Sequence, residues 1–92
     1  MTMTIHIIHN TQASRFEALI DGHLCECGYQ RSGNVLTFSH TGVPAALEGR
    51  GIAAALVAAA LAWAREQGLR VVPSCSYVAL YMQRHPETLD LK

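Results

Sequence analysis

The sequence predicts a single α/β (α+β) domain over residues 1–92: an antiparallel β-meander, then a long helix, a parallel strand and a C-terminal helix. Three observations carry that prediction. Residues 15–40 contain three runs with β-type patterning, separated by Asp21-Gly22 and by Ser32-Gly33-Asn34. Residues 52–67 repeat apolar side chains at helical spacing. A short apolar run then follows a glycine, and strand–helix–strand order implies a parallel crossover into the same sheet.

The elements follow in order. Residues 5–9 (IHIIH) form a β-type run that ends in the polar loop Asn10-Thr11-Gln12. In RFEALI, Phe16, Ala18 and Ile20 share one face, with Arg15 and Glu17 on the other. Asp21-Gly22 is a hairpin turn, because a type I′ turn needs positive φ at both central residues. The returning strand, residues 23–30, places His23, Cys25, Cys27 and Tyr29 on one side and Leu24, Glu26 and Gly28 on the other. Residues 35–40 (VLTFSH) form the next strand. Pro44, with no N–H and a fixed φ, closes that pattern.

The long helix spans residues 51–67, with Gly68 placed for a left-handed C-cap. Ile52, Leu56, Ala60 and Trp63 form one stripe, and Val57, Leu61 and Ala64 lie beside it. Its many alanines let it lie close on a sheet. They also leave little polar cover, which suits a second copy of the chain as a homodimer partner. Residues 69–72 form the parallel strand, and Pro73 ends it. Ser74 is placed to cap a final helix over residues 76–84, with an acidic tail after His85-Pro86-Glu87.

Composition narrows the function classes. Half of the 92 residues are apolar and 15% are charged, so a packed core is expected rather than disorder. The formal net charge of zero gives no reason to expect nucleic acid or an anionic membrane as partner. The longest uncharged apolar run, residues 52–64, is shorter than the roughly 20 residues that span a bilayer. The first residues do not read as a signal peptide, and three cysteines then favour free thiols in a reducing, cytoplasmic setting. His23, Cys25 and Cys27 share a strand face but do not make a zinc site. Alternate positions lie in a row about 7 Å apart, and cannot converge on an ion about 2.3 Å from each sulfur.

The stretch with chemistry in it is EGRGIAAALV, residues 48–57. Gly49 and Gly51 bracket Arg50 and let the backbone bend sharply just ahead of the helix. The first N–H groups of that helix have no acceptor within it, and they add to the positive end of its dipole. Such a turn accepts an anion, and a pyrophosphate suits it. Arg50 adds a charged donor, while Glu48 is expected to point away.

HTGVP at residues 40–44, LEGRGIAAALV at residues 47–57 and VVPSCSYVALYMQRHPE at residues 71–87 together resemble the GNAT acyltransferase superfamily. The likeness is to its short, YjdJ-type N-acetyltransferases, and it covers about the last half of the chain. It implies a minimal GNAT-like fold and acetyl transfer from acetyl-coenzyme A to an amine acceptor: a small molecule, a peptide or a protein lysine. It also implies a slot for the pantetheine arm, where the strand before the glycine turn splays from the strand after the helix. Carried over residue by residue, the resemblance puts coenzyme A against Val43, Glu48, Gly49, Arg50, Gly51, Ile52, Ala53, Ser76 and Tyr77. The usual pyrophosphate motif opens on Arg or Gln, followed by two residues, Gly, one residue and then Gly or Ala. Here that position is Ala46, which removes one side-chain donor. Set against longer members, the sequence is expected to be short of the helices after the first strand and the final strands that shape their acceptor pocket, so a coenzyme A or acyl-coenzyme A binding module without efficient transfer is the alternative.

Three residues are candidates for the chemistry, each with two readings. Cys75 follows the parallel strand at the acyl end of the slot. It is either a nucleophile activated at a helix start or a wall of the pocket beside direct amine attack. His40 has the near-neutral intrinsic pKa of a general base, or it hydrogen-bonds the loop backbone. Tyr81, four residues from Tyr77 on one helix face, either gives a proton to the leaving thiolate or packs in the core.

Overall fold

The computed structural model describes residues 5–92, so the first four positions of the predicted domain lie outside the described residues. Strands β1 (Ile8–Asn10), β2 (Arg15–Ile20), β3 (His23–Ser32), β4 (Val35–Gly42) and β5 (Arg70–Pro73) form one sheet in that order. The first four pair antiparallel, and β4 pairs with β5 in parallel. Helix α1 (Ile52–Glu66) makes the crossover between β4 and β5, and helix α2 (Ser76–Arg84) follows β5. The expected mixed α+β architecture is the one observed.

Strand alternation builds one core. Phe16, Ala18, Cys25, Cys27, Tyr29, Leu36, Phe38 and Val71 turn to the same side of the sheet and are buried. They meet Ile52, Leu56, Val57, Ala60, Leu61 and Ala64 of α1, and Val78 and Met82 of α2. Their partners in alternation, such as Leu19, Leu24 and Glu26, lie on the opposite face and keep solvent contact. His23, at the start of β3 and paired with Ile20, shares the Cys25–Cys27–Tyr29 face by alternation but lies exposed at its end. The Asp21-Gly22 turn has φ of 51° and 77°, both positive as a type I′ hairpin requires.

Several boundaries differ from expectation for identifiable reasons. Sheet pairing begins only at Ile8; Ile5 and Ile7 precede it and pack against the core while partly buried. Pro73 is within β5, the edge strand, where a missing N–H leaves no ladder bond unmade. Cys75, not Ser74, is the N-cap of α2. The acidic tail is a 3-10 turn, Pro86–Leu91, with Leu91 buried. Arg65 of α1 holds it, donating to both Asp90 carboxylate oxygens at 2.9 and 2.8 Å and to the Glu87 carbonyl at 2.9 Å.

The feature that positions the site is a β-bulge. Tyr29 pairs with Phe38, but Gly28 pairs with His40, so Ser39 is an extra residue in β4. Beyond it the facing of β4 is inverted. Thr41 pairs with core-facing Cys27 and turns inward, while His40 turns outward with Gly28.

Candidate active site

Past the bulge, β4 leaves β5. Their last paired residues are Phe38 and Pro73, and the Cys75 N–H donates to the Phe38 carbonyl at 2.9 Å. β4 then continues to Gly42 against β3 alone, while the chain after Pro73 turns into α2. The gap between them opens into a cavity of about 430 Å3. Thr41, Val43 and Leu47 line one side, the Glu48–Ala54 segment closes one end, and Tyr77 of α2 faces them.

The closing end is built by two left-handed glycines, Gly49 at φ 81° and Gly51 at φ 77°. No atom beyond the chain neighbours lies within 4 Å of where a Cβ would stand on either. The first intrahelical bond runs from the Ala55 N–H to the Gly51 carbonyl at 3.0 Å. The N–H groups of Ile52, Ala53 and Ala54 therefore have no acceptor inside α1, and no acidic residue stands in its first turn. The helix dipole adds positive potential at this point. Leu47, Ile52, Val43 and Ala54 supply apolar wall beside these donors. The cavity thus joins an anion-binding end to an apolar length, which fits a diphosphate carrying an aliphatic arm.

Of the predicted cofactor contacts, Val43, Glu48, Gly49, Gly51, Ile52, Ala53 and Tyr77 line this cavity. Ser76 is exposed and does not. Arg50 also stands outside it, its guanidinium 3.1 Å from the Asp21 carboxylate at the tip of the β2–β3 hairpin. Thr41, Leu47 and Ala54 line the cavity and were not singled out from the sequence. Leu47 and Ala54 follow from the helical turn either side of the glycines. Thr41 had no sequence signal, because its inward facing depends on the bulge.

Cys75 meets the cavity through Thr41. Its thiol donates to Thr41 Oγ1 at 3.5 Å, and the Thr41 hydroxyl donates to Cys27 Sγ at 3.8 Å. Burial raises the Cys75 pKa, but the Thr41 hydroxyl and the backbone N–H groups of Val78, Tyr77 and Thr41 outweigh it and hold the thiol below its ordinary value. Those N–H groups stabilise the thiolate without making an N-cap bond of good geometry. Cys27 is the opposite case. Burial pushes it up to about 11, with the Thr41 bond only partly opposing and Cys75 adding to the rise.

The other two candidates for the chemistry lie elsewhere. His40 is on the outer face of the sheet, its side chain 65% exposed and its Nε2 3.8 Å from Glu26 Oε1. It does not line the cavity beside Cys75, because the bulge turns it away. Tyr81 sits one turn along α2 from Tyr77 and stacks on His85, with ring centroids 3.9 Å apart. It does not line the main cavity but a smaller one of about 130 Å3, together with Arg84, His85 and the shared residues Ala54 and Tyr77. Burial, Glu87 and Tyr77 all raise its pKa. The His85 ring is anchored through Nδ1 on the Tyr81 carbonyl at 2.8 Å, a structural role. Among the described residues, no cluster of three His, Cys, Asp or Glu side chains is placed to hold a metal ion.

A mixed sheet that parts between two parallel strands, with a helix N-terminus at the parting, defines an α+β fold of the acetyltransferase type. The chain belongs to the GCN5-related N-acetyl-transferase family, whose model matches residues 15–91. The fold is similar to the NMR solution structure of a GCN5-like protein from Staphylococcus aureus to which N-acetyltransferase activity is provisionally assigned. The two share 27% identity and a TM-score of 0.76 over 94% of this chain and 85% of that one.

Proposed function

We propose that the protein transfers an acetyl group from acetyl-coenzyme A to an amine, as a short GNAT enzyme of the YjdJ type. The observation that carries this reading is the cavity at the parting of β4 and β5, with free helix N–H groups at one end and the Cys75–Thr41 pair at its side. Gly49, Gly51 and the N–H groups of Ile52 and Ala53 would hold the pyrophosphate. Val43, Leu47, Ile52 and Tyr77 would flank the pantetheine arm. The amine then attacks the thioester carbonyl directly, with Cys75 beside the acetyl group and the coenzyme thiolate leaving with a proton. Three free thiols fit a reducing compartment, and we place the protein in the cytoplasm.

Thermal unfolding with and without acetyl-coenzyme A tests the donor site. Ligand at a hundred times its dissociation constant stabilises by about 2.7 kcal/mol. An unchanged transition at millimolar acetyl-coenzyme A would end this reading. Stabilisation without any labelled acetyl passing to a cell extract would leave a coenzyme A binding module instead.

Arg50 gives a graded test of the same site. Its ion pair with Asp21 is exposed, so Arg50→Ala costs folding stability no more than about 1 kcal/mol. A charge-assisted bond to phosphate contributes about 1.5–3 kcal/mol, part of which is offset by giving up Asp21. Affinity for acetyl-coenzyme A is expected to fall about tenfold, and less at high salt. Calorimetry at two ionic strengths measures both. A salt-independent loss would mean that Arg50 does not reach a phosphate.

A further inference from the structure

The smaller cavity between α1 and α2, of about 130 Å3, is lined by Ala54, Tyr77, Leu80, Tyr81, Arg84 and His85. It shares Ala54 and Tyr77 with the main cavity, so the two meet at the end of α1 whose first N–H groups have no acceptor in the helix. A diphosphate held at that end has two ways to continue. One runs past Val43 and Leu47 between the parted strands, and the other runs along α2 between the helices.

Arg84 is the unusual group in this second path. Arg15, Arg50 and Arg65 each meet a carboxylate, and Arg31 and Arg70 donate to backbone carbonyls. Among the described residues Arg84 alone of the arginines has neither a hydrogen bond nor an ion pair, and no carboxylate lines the cavity with it. Glu87, the acidic residue next in the chain, lines the neighbouring cavity with Tyr81 and not this one. The negative end of the α2 dipole favours a cation in its last turn, which accounts for a basic residue there but not for a guanidinium without a partner beside a cavity. The wall around it is fixed. His85 stacks on Tyr81 at 3.9 Å and is tied through Nδ1 to the Tyr81 carbonyl at 2.8 Å. Leu80, 42% exposed, adds apolar surface at the rim. Tyr77 and Arg84 stand two turns apart, about 10 Å along the helix, and a long arginine side chain spans much of that interval.

We propose that Arg84 binds the phosphate monoester on the ribose 3′ position of the coenzyme, and that it makes the protein select the 3′-phosphorylated coenzyme over its dephospho form. The inference rests on the N-acetyltransferase reading for its ligand. The diphosphate stays on the helix N–H groups, the pantetheine arm runs between the strands, and the ribose turns into the cavity between the helices. There the planar guanidinium meets two phosphate oxygens in its fork. The cavity holds a phosphate but not a whole nucleoside, so the adenine rests outside, on Leu80. One ligand with two separate anionic groups thus meets two separate sources of positive potential, one at each end of the shared Ala54–Tyr77 wall. Unlike Arg50, which has to leave Asp21, Arg84 gives up no partner on binding.

The test is isothermal calorimetry of the full chain with acetyl-coenzyme A and, separately, with acetyl-3′-dephospho-coenzyme A. The unmodified chain is expected to bind the first about tenfold more tightly, with a smaller preference at high salt. Arg84→Gln is expected to bind both forms alike, at the affinity the unmodified chain shows for the dephospho form. Arg84 is exposed and bonded to no described residue, so this variant keeps its thermal transition. Equal affinity for the two forms in the unmodified chain, or an undiminished preference in Arg84→Gln, overturns the inference and leaves the donor site standing. Binding of neither form ends the donor reading itself, and the inference with it.

Discussion

Gly51→Val is expected to reduce acetyl-coenzyme A affinity at least a hundredfold while the protein still folds. Gly51 is the N-cap of α1 with φ at 77°, a conformation that costs a β-branched residue about 1–3 kcal/mol. That strain lowers stability but does not by itself remove the site. The binding loss comes from where the added side chain must go. Gly51 lines the cavity at the helix N-terminus and no atom beyond its chain neighbours lies within 4 Å of a Cβ there, so an isopropyl group is expected to occupy space beside the Ile52 and Ala53 N–H groups. A pyrophosphate must approach those groups to hydrogen-bond distance, and the valine methyls prevent it. Gly33→Val is the control. It carries a comparable φ of 59° in the β3–β4 turn, away from the cavity, and so loses stability without losing affinity. Isothermal calorimetry on both variants decides the matter. Unchanged affinity in a folded Gly51→Val chain would place the coenzyme elsewhere.

Cys75 is expected to react with iodoacetamide at least about a hundred times faster than Cys27 near pH 7.5. Its thiol is held below the ordinary cysteine value and that of Cys27 is pushed up to about 11, so the thiolate fractions alone differ by that much. Cys27 is also fully buried, which widens the gap. Burial raises the pKa of Cys25 as well, which makes it a second internal reference. The sign follows from the lowered value: at a given pH below it the thiolate fraction of Cys75 exceeds that of an ordinary thiol, and alkylation falls off as pH drops through the lowered pKa. Thr41→Val removes the hydroxyl bond and should move the alkylation profile to higher pH, and Thr41→Ser should restore it. The same samples test covalent catalysis. Brief incubation with acetyl-coenzyme A and no acceptor should leave Cys75 unmodified by intact mass, and Cys75→Ser should keep substantial transfer. An acetyl adduct mapped to Cys75 would instead make it the acyl carrier.

Much of the lining of the main cavity was readable in the chain because it is local. Gly49, Gly51 and the apolar stripe from Ile52 are contiguous, and a glycine turn feeding a helix leaves its first N–H groups without an acceptor in the helix. The hairpin at Asp21-Gly22 was readable for the same reason, since two adjacent residues needed positive φ and the sequence supplied both. Strand facing in β2 and β3 followed from alternation over unbroken runs. The ion pair of Arg50 was not readable, since its partner Asp21 lies 29 residues away and is brought alongside only by the folded hairpin. Tyr81 shares a helix face with Tyr77 but only Tyr77 lines the main cavity, because helical spacing fixes a direction and not a depth along the groove.

The sequence by itself determined that this protein has a meander, a glycine-opened helix and a parallel return strand. Those follow from side-chain period, turn residues and crossover handedness, all of which act over a few neighbours. The tertiary structure decided which side chains share the site. One bulge at Ser39, invisible in a run that reads VLTFSH, turns Thr41 inward to Cys75 and His40 outward to Glu26. Side chains alternate with period two along a strand, so one inserted residue sends every later one to the opposite face, and only pairing with β3 reveals that it has happened.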